Sequence, residues 1–301
     1  MSSLAAVAGP TKSALMAAPT TSAPSTEAIS PPAPARLLPS PPSARRTSSR
    51  ITFPNGDTYD GELEDNVIQG KGTQTFASGD VYTGEFQRGA KFGNGAYKYV
   101  NGDRYEGEFA DNEFHGHGTQ TFRSGDVYSG DFRRGVKSGL GMYTFANGDV
   151  YEGEFAENLF HGKGKQSFAS GDLYEGEFQR GIKHGHGAYR FANGDRFVGA
   201  LANNQFNGRG TIVYANGDRY EGNFLNGAKT GQGTHFFANG ERYEGYFQAN
   251  AQGGAGTHFY NNGERFVGQF ANGRRHGTGT YYFVNGETRT VEFANDVEKP
   301  K

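Results

Sequence analysis

The sequence contains neither cysteine nor tryptophan. Without cysteine the chain has no disulfides, no thiolate nucleophile and no cysteine-ligated zinc. It also lacks the run of about 18 apolar residues that a membrane-spanning helix needs, so any contact with a bilayer is expected to be peripheral. No GxSxG elbow, GxxxxGK[ST] loop or HExxH pair is present. We therefore expect a protein that is not an enzyme and uses no cofactor.

Charge is unevenly divided along the chain. Residues 1–50 carry five basic residues and one acid, whereas residues 51–301 carry 25 basic and 31 acidic residues. Nucleic-acid binding depends on neutralising phosphates, which an acidic body does poorly. We therefore expect no nucleic-acid partner.

The first fifty residues differ from the rest in composition. They hold nine of the eleven prolines and no aromatic residue, so they can bury too little apolar surface to offset the entropy lost on ordering. We predict a disordered tail over residues 1–50. Its Ser- and Ala-rich composition also suits a transit peptide, which gives the alternative of a plastid protein with a cleaved presequence. The run Arg45-Arg46-Thr47-Ser48 is either a basophilic kinase site or a solvated basic linker.

From Ile51 the sequence repeats every 23 residues without an insertion. Four glycine columns, which begin at Gly56, Gly61, Gly70 and Gly72, account for 41 of the 48 glycines. Aromatic columns keep the same register, and we expect them to be structural. In five successive repeats they comprise Tyr82, Phe86, Tyr105, Phe109, Tyr128, Phe132, Tyr151, Phe155, Tyr174 and Phe178. The repeat array is predicted over residues 51–296, with a C-terminal tail over 297–301.

Within a repeat the residues alternate with period two. In the run from Tyr105 to Phe109 the aromatics and glycine share one face and the glutamates share the other. Asn-Gly or Ser-Gly precedes each run, as in tight hairpin turns. The sequence predicts an all-β fold: an elongated, single-layer antiparallel sheet of tandem β-hairpins. Rings are expected to lie across the bare glycines, and the sheet to form a groove lined by aromatic rings.

The Tyr-x-Gly-x-Phe unit followed by Gly-x-Gly and Asn-Gly-Asp resembles the MORN repeat (membrane occupation and recognition nexus). In this chain it stands as Tyr105 to Phe109, Gly116-His117-Gly118 and Asn147-Gly148-Asp149. The resemblance implies a non-catalytic scaffold with protein partners in a cytoskeletal, ciliary or membrane-associated assembly. The expected location is the cytoplasm, at the cytoskeleton, cilium or flagellum. An open strand edge and an aromatic face also predict a homodimer.

A second period of 46 residues alternates basic and apolar side chains near the turns. Its members, expected to project from one long edge of the sheet, are Arg88, Lys91, Phe114, Arg134, Lys137, Phe160, Arg180, Lys183, Phe206 and Lys229. One interpretation is a charge ladder that braces neighbouring turns. The other is an edge that binds protein partners or anionic phospholipid, with lysines on the headgroups and phenylalanines inserted between them.

Two histidine columns also leave two interpretations open. His115, His161, His184 and His276 share one column, and His235 and His258 occupy another in adjacent repeats. Histidines in adjacent repeats could bind a metal, but Gln and Tyr stand at the equivalent positions elsewhere. Packing across strands is therefore favoured, and we expect no metal site.

Overall fold

The computed structural model describes residues 45–300. They form one antiparallel sheet of 23 strands in which each strand pairs with the next in the chain. The strands are β1 (Arg46–Thr52), β2 (Thr58–Glu64), β3 (Val67–Thr75), β4 (Val81–Gln87), β5 (Ala90–Lys98), β6 (Arg104–Ala110), β7 (Glu113–Thr121), β8 (Val127–Arg133), β9 (Val136–Thr144), β10 (Val150–Ala156), β11 (Leu159–Ser167), β12 (Leu173–Gln179), β13 (Ile182–Arg190), β14 (Arg196–Ala202), β15 (Gln205–Val213), β16 (Arg219–Leu225), β17 (Ala228–Phe236), β18 (Arg242–Gln248), β19 (Ala251–Phe259), β20 (Arg265–Ala271), β21 (Arg274–Tyr282), β22 (Thr288–Ala294) and β23 (Val297–Glu298). The predicted sheet of 23-residue hairpins is confirmed. Within residues 45–300 no helix is long and apolar enough to span a membrane.

Both ends of the sheet extend beyond the predicted array. β1 begins at Arg46, inside the predicted tail of residues 1–50, because its backbone pairs in register with β2. Likewise β23, inside the predicted C-terminal tail, pairs with β22. These two segments are therefore parts of the sheet. The rest of the predicted N-terminal tail, with its alternative as a presequence, lies outside the described residues.

Two kinds of turn alternate along the chain. After each repeat a four-residue turn closes on glycine: Gly125 N–H donates to the Phe122 carbonyl at 2.9 Å and has a φ of +95°. Within each repeat the strands join through two residues, such as Asp111 and Asn112, which both have positive φ (+49° and +71°). That is the geometry of a type I′ hairpin turn, which matches the twist of the strands it joins.

Tyrosine rings form the core by lying flat across glycines. Tyr105 is fully buried, and a methyl group on Gly118 would meet two of its ring carbons at 2.6 Å. The Tyr105 hydroxyl donates to the Glu108 carbonyl at 2.8 Å. The Phe109 ring meets the Tyr105 ring edge to face at 5.1 Å between centroids. Because bare glycine lets the rings rest on the backbone, one layer of sheet buries its own core.

Candidate functional site

The lysines of the 46-residue period lie in cages of aromatic rings. Lys137 is only 9% exposed, and its Nζ lies 4.6 Å from the ring centroid of Phe122 and 5.0 Å from those of Tyr128 and Tyr143. Burial lowers the pKa of Lys137 to about 8, partly opposed by the charge of Asp126. The same kind of contact, with two or three rings each, is made by Lys91, Lys183 and Lys229.

In the other repeats, the phenylalanines of the same period cover rings of the buried aromatic column that contains Tyr105. Phe114 stacks on Tyr105 with centroids 3.7 Å apart and an interplanar angle of 10°. Phe160 and Phe206 stack in the same way on later rings of that column. A stacked ring and a caged ammonium are thus alternative covers for one position, which explains why the pattern repeats every two hairpins.

This arrangement corrects the expectation that lysines and phenylalanines project from one edge of the sheet. Phe109 pairs directly with Phe114 across β6 and β7, so the second residue after each two-residue turn faces the rings. Arg88, Arg134 and Arg180, at the first turn position, are exposed. Only these arginines of the predicted set remain at the edge.

The two histidines in adjacent repeats, His235 and His258, pair with acids. His235 Nε2 lies 3.2 Å from Asp218 Oδ2, and His258 Nε2 lies 3.0 Å from Glu241 Oε2. Burial, and next the charge of Lys229, lowers the pKa of His235 below its ordinary value. Among residues 45–300 no group of three or more His, Asp or Glu side chains could hold a metal ion. The side-chain contacts therefore agree with packing across strands.

A groove of about 1170 Å³ lies on the opposite face, across strands β7 to β14. Paired glycines such as Gly153 and Gly164 form its floor, since their inner sides are covered by tyrosine rings. Its side-chain walls are His117, Ser129, Leu140, Met142, Glu152, Lys163, Lys165, Glu175, Glu177, His186, Ala188 and Val198. The groove is thus on the glutamate face. The expectation of a groove lined by aromatic rings is corrected, because the rings are buried in the core.

The groove has apolar side chains on both sides of a charged stretch. Leu140 and Met142 on β9 are 66% and 45% exposed, and Val198 on β14 is 61% exposed. Met142 on β9 and Val198 on β14 are five strands apart, which is about 24 Å along the sheet at ~4.8 Å per strand. Glu152 and Lys165 lie between them. Exposed apolar side chains gathered in a concavity are typical of an interaction surface.

Glutamate side chains hold one wall of the groove in place. Each hairpin has a register shift after its first glycine, for example between Gly153 and Glu154. The extra residues leave a backbone N–H free, and Glu154 Oε1 accepts it from Lys163 at 2.9 Å. Glu108 accepts the N–H of His117 in the same way at 3.1 Å. The wall is therefore fixed by charge-assisted hydrogen bonds before any partner binds.

One feature of the sequence indicates this groove: a few apolar residues stand at repeat positions that are otherwise polar. Leu140 and Met142 stand where neighbouring repeats have His or Lys and Thr or Lys, and Val198 stands where the repeats on either side have Glu. An apolar residue that breaks a polar column on the outer face marks a site where exposure is tolerated for a reason other than packing.

Comparison with known proteins agrees with the geometry. The family model for the MORN repeat matches ten consecutive segments, residues 59–81, 82–104, 105–127, 128–150, 151–173, 174–196, 197–219, 220–242, 243–265 and 266–288. Comparison with the curated proteins returned no match.

Among solved structures, the TCP10 domain of Danio rerio CPAP in complex with a STIL peptide is similar at 9% identity and a TM-score of 0.39, over 82% of this chain and 100% of that one. The Drosophila melanogaster SAS-4 TCP domain in complex with a proline-rich motif of Ana2 is similar at 16% identity and a TM-score of 0.33, over 61% of this chain and 94% of that one.

Proposed function

This chain belongs to the MORN repeat family, and on that premise we propose that it is a non-catalytic scaffold that binds protein partners in the groove of its glutamate face. The observation that carries the proposal is the exposure of Leu140, Met142 and Val198 in one cavity of about 1170 Å³. Isolated exposed apolar residues need no explanation, but three that line one groove do.

The groove floor favours a helical partner segment. Every strand from β7 to β14 pairs with a neighbour on both sides, so the floor offers no free backbone groups to an added strand. An α-helix satisfies its own backbone hydrogen bonds and binds grooves through side chains alone. A span of about 24 Å corresponds to roughly 16 helical residues. We propose an amphipathic helix with apolar residues near both ends and charges of both signs between them.

The wider setting is proposed from the family. It is a cytoskeletal or ciliary assembly, with homodimer formation at the open strand edges as a further prediction. Binding of anionic phospholipid also stays a prediction, but the caged lysines cannot be the residues that contact the headgroups. Lys137 and its equivalents are enclosed by rings, and the exposed Lys163 and Lys165 are interleaved with Glu152 and Glu175.

A photoreactive residue placed in the groove tests this proposal in cells. With p-benzoylphenylalanine at Met142, irradiation should give discrete protein adducts. The matched control places the same group at Val100, which is 72% exposed at a turn outside the groove. A second change, Val198→Arg, should abolish the Met142 adducts while circular dichroism shows the sheet intact. Identical adducts from both positions, or none from Met142, would contradict a groove-bound partner.

A further inference from the structure

The first strand of the sheet is its least anchored long element. β1 pairs only with β2, and within the described residues no strand pairs with its other edge. Six of its seven residues are exposed, and only Ile51 is half-buried against the core. Beyond the strand ladder, two hydrogen bonds of 3.2 Å join Arg45 and Asp65. The Asp65 N–H donates to the Arg45 carbonyl, and the Arg45 N–H donates to Asp65 Oδ1. Strands of this kind open at low free-energy cost.

Ser48 stands in the middle of this strand among charges of both signs. In the register of β1 and β2, Ser48 is directly opposite Glu62. On the same face Arg46 is opposite Glu64 and Arg50 is opposite Asp60. Opposite charges paired across strands stabilise a sheet and like charges destabilise it. The local balance is two basic groups against three acids, so an added negative charge increases the excess of acid on this face.

The residues before Ser48 carry a recognition pattern. Arg45 and Arg46 precede it by three and two positions, and protein kinases use such charge patterns to select substrates. The chain is extended and exposed at Ser48. This is the conformation that a kinase needs if it binds its substrate as an extended segment. The interpretation as a plain basic linker does not hold, because Arg46 to Arg50 belong to the sheet.

We propose that Ser48 is a phosphorylation site for an arginine-directed protein kinase, and that the phosphate releases β1 from the sheet. The serine Oγ attacks the γ-phosphorus of ATP, so an O–P bond forms, the bond to the β-phosphate oxygen breaks, and ADP leaves. The hydroxyl proton passes to the base of the kinase. The product carries a charge of about −1.5 to −2 opposite Glu62. Release leaves the N–H and C=O groups along the edge of β2 unpaired.

The site is tested on the full folded chain with a purified arginine-directed kinase, ATP and mass spectrometry. Phosphate should appear at Ser48 and disappear in Ser48→Ala, whereas Ser49→Ala should still be modified. Phosphate confined to Thr47 or Ser49, or incorporated only after heat denaturation, would overturn the assignment.

The release is tested by hydrogen exchange on the same phosphorylated chain. Amides of β1 and the facing edge of β2 should exchange roughly tenfold faster, while β5 onward stays unchanged. The variant Glu62→Gln removes the like charge and should restore at least part of the protection in the phosphorylated form. Unchanged exchange after full phosphorylation would refute the release. An equally large effect of the phosphate in the wild type and in Glu62→Gln would refute its electrostatic cause.

Discussion

Replacing Gly118 with alanine tests whether rings resting on bare glycine hold the repeats together. Gly118 does not have a positive φ, so its backbone accepts alanine and any cost comes from packing. The added Cβ would lie 2.6 Å from two ring carbons of Tyr105 and closer still to its hydroxyl oxygen. The ring must therefore lift from the sheet, since the contact involves the body of the ring as well as its end.

The expected cost follows from three contributions. Forcing extra volume into a packed core costs about 1–3 kcal/mol. Displacing the ring also weakens the 2.8 Å hydrogen bond from Tyr105 to the Glu108 carbonyl, which contributes about 1 kcal/mol. Losing a glycine from the unfolded chain returns about 0.4–1 kcal/mol. We expect a net loss of about 1–3.5 kcal/mol in the free energy of unfolding.

Guanidinium unfolding followed by circular dichroism measures this loss, and hydrogen exchange locates it. The matched control is Gly135→Asn: Gly135 has a φ of +76°, no atom lies within 4 Å of its added Cβ, and Asn112 and Asn158 hold the same turn position in neighbouring repeats. The control should change stability by less than about 0.5 kcal/mol. Equal stability of Gly118→Ala and the wild type, or equal losses in both variants, would refute the reasoning.

Three further predictions concern the cage and the groove. Lys137→Phe should cost about 1–3 kcal/mol by overpacking against Tyr143. Adding Tyr143→Gln, which reproduces the neighbouring repeats with their Phe and Gln, should recover most of that loss in chemical denaturation. Folding lowers the pKa of Lys137 from 10.5 to about 8. Between these pH values the unfolded chain binds more protons than the folded chain, so the free energy of unfolding should rise with pH. Near pH 10 the rise should reverse, because burial raises the pKa of Tyr174 from 10.0 to about 12 and makes the folded chain the better proton binder. Thermal unfolding from about pH 7 to 11 checks both slopes, and Lys137→Met should make the first shallower. Leu140→Arg, at a residue 66% exposed, should leave unfolding unchanged but abolish the Met142 adducts.

Most of the fold could be predicted because it depends on residues that repeat. The alternation of Tyr105, Gly107 and Phe109 against two glutamates identifies the inner face, and the structure buries the two rings. Regular repetition every 23 residues then determines that successive hairpins pair in order. Strand ends were less predictable: Arg46 to Arg50 have a polar composition, and only the backbone ladder with β2 places them in the sheet.

The candidate site was harder to predict because two physical effects are invisible in a linear pattern. The period of Lys137 and Phe160 is visible in the sequence. A two-residue turn, however, directs the second residue after it toward the rings, so Lys137 lies in an interior cage and not at the predicted edge. The groove is lined by residues from eight successive strands, β7 to β14, which belong to several repeats. No single repeat contains Leu140 and Val198 together, so their shared cavity appears only in three dimensions.

Hydrogen exchange of the array with and without a partner identified through Met142 tests the central claim, that proteins bind on the glutamate face. A synthetic helix from the crosslinked region of that partner should slow exchange in strands β9 to β14 and leave β1 and β22 unchanged. Leu140→Arg should remove the effect. Slower exchange confined to the turns or to the terminal strands, or none at a saturating concentration of the helix, would contradict the claim.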